Sequence, residues 1–544
     1  MLYMPIGMID LIVIIKRENH VRGFIGINEN LGVGYIQSYL SEKKVNSSIH
    51  VVFSDELCSP LTVFDHEPWL IGLSFYADNA IYVLQAAAML KKQFPKVHIS
   101  LGGPNVKYDP ARILTENTCI DSIVYGDGEE TFYQLALRLS NKESLHNCQG
   151  LAYRDNEGVI INKPGNNMHR LNELPFPNRD ILMRYNLPYA FISGSRGCLE
   201  NCAYCAAASL PFPENKRIIS RTSKSIVDEM EKITKETNVR IFRFTDSTFD
   251  EPLEYRDKKY SIFDEIKERG IDVGIHIFSR PELFDEGARP LLKKAYQAGL
   301  ECIYLGIESG NEIDLHLYNK KHTVNDSLRS LQIIREEGIR AAIGFINFNP
   351  YSTYDTLFEN ARFIRDSGFG HIFHLYQTRF EMIAGSQIVS RMKEDGLVDR
   401  EPDYKTGFLE YRFFTNRINS LFKIIDELHT KTAVYFMDTV LDTIRIWADR
   451  NLTDEHRHPF LLQLNQIQNV KNQISQRHYD LFCHCLYMSK NNDSIHEIIS
   501  YCNAYTYENL FDEYKQLYNL IQLRYNKMLL KSKMPTIFEK IKQG

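Results

Sequence analysis

Short aliphatic and β-branched runs, most of them closing on Gly, Ser or Asp, alternate with longer amphipathic stretches through most of this chain. In residues 1–148 the runs are IDLIVIIK (9–16), IHVVFSD (49–55), LIGLSFY (70–76), HISLGG (98–103) and DSIVYGDG (121–128). Between them LGVGYIQSYLSEKK, NAIYVLQAAAMLKKQF and EETFYQLALRLSN carry apolar residues at helical spacing. Strands that alternate with helices predict a parallel sheet wrapped on both faces, because a parallel crossover needs a helix to return the chain. Ligands of such sheets sit beyond the carboxyl ends of the strands, where the Gly and Ser residues gather here.

Residues 149–188 interrupt the alternation. GLAYRDNEGVIINKP predicts a small hairpin turning at Asn156-Glu157-Gly158, and LNELPFPNRDILMRYNLPY, with three prolines, predicts a linker. A second alternation occupies residues 189–414, with strands expected at 190–193, 239–247, 272–279, 302–309, 341–348 and 371–378. Six strand–helix units are too few for a closed eightfold barrel, so a partial TIM-type (β/α)6 barrel is expected. Beyond residue 415 the strands stop. Long amphipathic stretches predict a helical domain over 415–544. The fold class is therefore α/β, in three domains.

Lys and Arg total 64 against 69 Asp and Glu, a net charge of −5. That balance argues against a nucleic-acid binder. No run approaches the roughly 20 apolar residues of a membrane span. The opening MLYMPIGMIDLIVIIKRENH has an apolar run without a basic leader or cleavage site, so it reads as a buried first strand, and a cytoplasmic protein is expected.

Of the 10 cysteines, three crowd into GSRGCLENCAYCAAA at Cys198, Cys202 and Cys205, while the rest are scattered. This usage favours a reducing compartment in which thiolates serve a metal. Iron–sulfur cubanes normally take four thiolates, so a three-cysteine loop leaves one iron open for another ligand. A zinc knuckle lacking its fourth ligand is the alternative for the spacing alone.

The loop resembles the signature of the radical S-adenosylmethionine (SAM) superfamily. The resemblance implies a 4Fe-4S cluster on Cys198, Cys202 and Cys205, whose open iron chelates SAM and whose electron cleaves it to a 5′-deoxyadenosyl radical. Tyr204 takes the aromatic position before the third Cys. By the same resemblance Asp246 and Ser247 in RFTDSTF contact the methionine moiety, and Glu308 in LGIESG lies near the ribose. Gly306 lies where backbone approaches the cofactor, and Ser279 and Arg280 in FSRPE end a strand, with Arg280 expected on the SAM carboxylate. One departure stands out: FNPYSTYDT (348–356) replaces the Gly-rich stretch many relatives carry after the fifth strand.

Residues 1–148 resemble the cobalamin-binding domain that precedes the radical core in one large subfamily. The residues that carry this are Ser74; Gly102, Gly103 and Pro104; and Gly126, Gly128, Glu129 and Thr131 in VYGDGEETF. A nucleotide tail buried between sheet and helix requires side chains this small. A flavodoxin-like domain for another cofactor is the alternative. His20 in ENHVRG stands where some relatives place a lower cobalt ligand.

The resemblance implies a cobalamin-dependent methyltransferase, delivering a methyl group through methylcobalamin to an unactivated carbon or phosphorus of a natural-product or peptide substrate. A cyclisation or rearrangement with the same cofactors is the rival. Tyr376 and Gln377, ending the last expected strand, are the candidate substrate-facing catalytic residues. An electron donor such as flavodoxin or ferredoxin is implied. Cys483, His484 and Cys485, with Cys502 downstream, read as packed helix residues rather than a second cluster.

Overall fold

A computed structural model of the chain describes residues 6–16, 29–57, 61–76, 78–107, 109–156, 158–165, 171–205, 218–251, 256–382, 386–398, 404–405, 410–428, 433–504 and 508–532. The first sheet runs through β1 (Ile9–Ile15), β2 (Ser47–Phe53), β3 (Leu70–Ser74), β4 (His98–Gly102), β5 (Ser122–Val124), β6 (Leu151–Asp155) and β7 (Gly158–Ile161), in the order β2-β1-β3-β4-β5-β6-β7. The first five are parallel. Every residue of β1 is buried, as expected for a central parallel strand covered on both faces. Its side chains alternate between two cores. Leu11 and Val13 join one that continues through Leu182 into the second sheet, while Ile12 and Ile14 join one capped by the helix Ala80–Gln93.

The chain reverses direction across the sheet between β1 and β3, the topological switch point where such sheets bind ligands. Asn79 bridges this gap, its amide donating to Ile14 O at 3.0 Å and Ser74 O at 3.2 Å. Register places Ser74 beside Gly102 and Gly102 beside Val124, so the three small strand ends lie level. The hairpin expected at 150–165 forms as β6 and β7 but belongs to the first sheet, pairing antiparallel on β5 rather than standing in the linker.

The second sheet is parallel and follows chain order: β8 (Tyr189–Ile192), then β11 (Ile241–Phe244), β12 (Gly274–Ser279), β13 (Leu300–Glu308) and β14 (Arg340–Phe345). A two-stranded ribbon, β9 (Ser195–Gly197) with β10 (Ile218–Ser220), stands outside it. The sixth unit is reduced to one parallel bridge, Phe348 with Arg379. The expected strand at 371–378 is instead a short helical turn, His374–Gln377. Ile372, Phe373, Leu375 and Tyr376 are all buried, a spacing that suits a helical turn and not the alternation of a strand.

The C-terminal domain is helical, over Asn416–Glu427, Ala433–Asn451, Asp454–Lys490, Ile495–Ala504 and Glu508–Ser532. Asp438 knits it to the barrel. This buried carboxylate accepts from His371 of the barrel, from Tyr514 of the last helix, and from Lys471 of the long helix at 2.7 Å. Among the described residues no helix is long and apolar enough to cross a membrane.

Candidate functional site

The cysteine loop leaves β9 directly and is pinned on all sides by backbone contacts. Asp246, fully buried at the end of β11, accepts from Gly194 N at 2.8 Å, from the Ser195 hydroxyl, and from Lys259 Nζ at 2.8 Å. Leu199 N donates to Glu251 at 3.0 Å, and Ala203 N to Tyr318 O at 2.9 Å. The expected role of Asp246 on the methionine moiety is therefore corrected: its oxygens are spent holding the loop from beneath. Ser247, the next residue, is exposed at the strand end.

Burial pushes the Cys198 thiol up to about 12, helped by the Glu251 carboxylate and by the neighbouring thiols Cys202 and Cys205. Burial raises Cys202 too, while the Lys320 ammonium pulls it back. Two thiols that resist ionisation, with Cys205 beside them, suit a centre that brings its own positive charge. Among the described residues no three ligand side chains close on a single ion. A cubane gives each thiolate an iron of its own, so convergence on one point is not required. The donor set fits a cluster.

Behind Cys202 lies a second constellation. The Tyr204 ring packs edge-on against Tyr318 at 5.6 Å and Phe380 at 6.3 Å, and its hydroxyl bonds to Glu308. Burial, then the Glu308 and Cys202 charges, hold that phenol well above its usual range. Glu308 ends β13 at φ +68°, a left-handed conformation costly for a branched-off side chain and retained mainly where function needs it. The ladder to β14 shifts register there. Lys320 Nζ stands 3.7 Å from Glu308, with both side chains largely buried. A Cβ at Gly306 would meet Glu308 Oε1 at 2.9 Å and Lys320 Nζ at 3.3 Å, so the missing side chain makes room for this ion pair. Tyr204, Gly306 and Glu308 thus come together beside Cys202. Lys320 escaped sequence reasoning; its only signal was a cationic pair in YNKKH.

Arg280 does not stand ready for a carboxylate. It pairs with Glu200, with Glu251 at 3.1 Å and with Glu282 at 3.4 Å. Its charge is consumed by three acids from separate segments. Ser279 likewise donates to the buried Asp250.

At the first sheet, the Ser74 hydroxyl accepts from Asn30 at 2.8 Å, and the Tyr76 phenol bonds to both. A Cβ at Gly102 would meet only Val124 O, at 3.9 Å, and one at Gly126 would meet nothing within 4 Å. Pro104 is exposed nearby, while the amide nitrogen of Asn105 is buried with no hydrogen-bond partner among the described residues. An open shelf of small residues with an orphaned amide beneath it fits a broad, flat cofactor. Gly103 has a different job. At φ +122° its Cβ would lie 2.5 Å from Phe75 O, so glycine is required by the fold itself. Gly128 packs on Ile36, and Thr131 donates to Gln149 O at 3.0 Å. Glu129 is committed to Arg196 of the cysteine loop at 2.6 Å rather than to a corrin edge.

The remaining expected residues lie apart from the site. Tyr376 is fully buried, its ring 5.2 Å from Phe482, and Gln377 donates to Ile425 O at 2.8 Å and Leu428 O at 2.9 Å, closing the end of a C-terminal helix. Both therefore pack the barrel against the helical domain and do not face a substrate. His20 lies outside the described residues. Cys485 faces Cys502 at 3.4 Å while His484 stacks on Tyr501, so these residues do not converge on a metal.

Comparison with known proteins agrees with both halves. The radical SAM superfamily model matches residues 192–364, and the B12 binding domain model matches residues 24–136. An uncharacterized methyltransferase of Pyrococcus horikoshii is 27% identical over 369 residues, covering 65% of this chain and 77% of that protein. The anaerobic magnesium-protoporphyrin IX monomethyl ester cyclase of Rubrivivax gelatinosus is 27% identical over 361 residues, 61% of each chain. The solved structure of the cobalamin-dependent SAM radical enzyme OxsB, with aqua-cobalamin and SAM bound, superposes over 99% of this chain and 83% of its own. Its TM-score is 0.69 at 16% identity, a likeness of fold.

Proposed function

Because this chain is a cobalamin-dependent radical SAM enzyme, with a 4Fe-4S cluster, SAM and cobalamin as cofactors, we propose that it methylates an unactivated carbon or phosphorus of a natural-product or peptide substrate. The observation that carries the reading is the meeting of the two ligand edges. Arg196, two residues before Cys198, pairs with Glu129 of the first domain at 2.6 Å, and Lys107, in the turn that follows Gly103, is depressed by burial and partly restored by the charge of Cys205. A methyl donor and a radical generator must share one substrate, and the nearness of the cysteine loop to the helix that follows Gly126 supports a cleft common to both.

When bound, the cofactors supply a one-electron cleavage of SAM and a transferable methyl group. The chain's own residues bind and orient. Cys198, Cys202 and Cys205 would hold the cluster; Glu308 would accept from sugar hydroxyls; Lys320 would neutralise a carboxylate, a role Arg280 cannot take. Tyr204, Tyr318 and Phe380 form an aromatic wall that keeps water from the Cys202 side. Ser74, Asn30 and Tyr76 offer hydroxyls and an amide at the corrin shelf. The resemblance of the Pyrococcus protein, described as a methyltransferase, supports this reading.

A second reading, cyclisation or rearrangement without methyl transfer, is favoured by the named activity of the Rubrivivax relative. Anaerobic incubation of the reconstituted enzyme with metabolites of its genome neighbourhood, read by mass spectrometry, separates the two. Methylation yields a product heavier by one CH2 and S-adenosylhomocysteine alongside 5′-deoxyadenosine. A product without added CH2, and no S-adenosylhomocysteine, establishes the second reading instead.

A further inference from the structure

Two charged assemblies cross from the first domain to the barrel, and they do different things. The first is a buried ladder. Arg179 of the linker pairs with Glu29 at 2.7 Å and with Glu229 of the barrel, and Arg221 pairs with the same Glu229. All four side chains are at most 8% exposed, and two acids balance two bases. Backbone groups complete it: Phe191 N donates to Glu29 at 3.0 Å, Arg179 donates to Phe191 O at 3.0 Å, and Arg221 donates to Ser193 O at 3.2 Å. A buried, charge-balanced network of this kind fixes β8 against the first domain.

The second assembly is aimed elsewhere. Arg196 sits on β9, two residues before Cys198, and reaches across to Asp127 at 3.0 Å and Glu129 at 2.6 Å. Its guanidinium also lies 5.2 Å over the Tyr35 ring, on the helix Leu31–Glu42 of the first domain. Asp127 stands at the N-cap position, without a capping hydrogen bond of its side chain, and Glu129 lies in the first turn of the helix Gly128–Asn141, directly after the open Gly126, where the helix N-terminus favours both carboxylates. β9 belongs to the small ribbon outside the barrel sheet, so the barrel's hydrogen-bond ladder does not set its direction. Asp246, Glu251 and Tyr318 O tie it to the barrel, and the planar guanidinium, held by two acids and an aromatic face, ties it to the first domain.

We propose that Arg196 is a positioning residue that sets where the cysteine loop stands relative to the corrin shelf, and so fixes the separation of cluster and cobalt. This rests on the cofactor reading above. The ladder docks the domains; Arg196 aims the loop.

The test uses full-length holoenzyme, purified and reconstituted anaerobically, as wild type, R196M, the D127N/E129Q double variant, and the charge exchange R196E/E129R. Iron and cobalamin content are measured first. Pulsed dipolar EPR then reads the distance distribution between the reduced cluster and cob(II)alamin. The expected result is full cofactor content in D127N/E129Q, which leaves the loop itself untouched, with a distribution broadened by about twofold, as when a supporting shell no longer holds a site within a fraction of an ångström. R196M should broaden it similarly, and the exchange should narrow it again. A distribution in D127N/E129Q as sharp as in wild type, with both cofactors bound, overturns the positioning role and leaves the cofactor reading intact. Wild-type enzyme that takes up cluster but no cobalamin overturns the cofactor reading itself.

Discussion

The two ligand edges of this molecule are built on opposite principles. The shelf on the first sheet is made by leaving things out: Gly102 and Gly126 stand clear of neighbours, and Ser74 offers a short hydroxyl. The edge of the barrel is made by crowding charge, with Asp246, Glu251, Arg280, Glu308 and Lys320 within reach of one loop. A broad macrocycle is recognised through room. A small zwitterion on a cluster is recognised through compensated charge, which is costly to bury and more costly to break.

The contrast can be broken most completely at Cys202. Cys202→Ala should abolish cluster assembly and deoxyadenosine formation while cobalamin uptake, measured by its visible absorbance, persists; loss of both would mean that the edges are not separable. Next in size is Lys320→Met, which strands the Glu308 carboxylate and should cost about 3 kcal/mol in urea denaturation. Adding Glu308→Gln should restore part of that loss, since the stranded charge goes with it.

The shelf is probed by two adjacent glycines that should behave differently. Gly103→Ala, at a positive φ against Phe75 O, should destabilise the domain by about 2 kcal/mol, read by denaturation of the apoprotein. Gly102→Leu has space and should fold normally, yet weaken cobalamin binding by about tenfold or more. Equal stability losses at both positions would contradict the assignment of room to one and backbone packing to the other.

The smallest expected effect concerns pH, and it sharpens the contrast by showing charge that neither edge uses. Burial depresses His98, at the start of β4, to about 4, and His478, in the long helix, to about 3. The unfolded chain takes these protons near pH 6.5 while the folded chain refuses them, so the neutral rings contribute full stability above that value and lose it as pH falls toward the depressed ones. Between pH 7 and 5.5 each should cost about 1.2 kcal/mol. The His478→Asn variant should show a correspondingly flatter acid limb in denaturation.

Much of this architecture was legible in the sequence, for a physical reason. Parallel strands buried on both faces are continuous apolar runs, and β1, β3, β4, β12, β13 and β14 announce themselves so. The stretch 371–378 has the same composition but buries residues at helical spacing, and composition alone does not distinguish the two. The Cys triad stands out because its members are neighbours in the chain, and Glu308 because its motif is local. Arg280, Asp246 and Glu129 were assigned to cofactors by the resemblance of their local motifs. Their actual partners, Glu200 and Glu251, Gly194 and Lys259, and Arg196, come from distant segments and meet only in the fold. Lys320 was missed for the converse reason: its meaning arises only beside Glu308.

The convergence on Asp438 has a consequence for how this chain can be dissected. One carboxylate accepts from a barrel loop, from the long helix and from the helix Glu508–Ser532, so a cut between barrel and helical domain takes His371 from a buried charge. A protein shortened before residue 508 would lose Tyr514, and with it one of the three hands that share the load of a negative charge sealed from solvent. The fault would be felt by His371, on the far side of the molecule's seam.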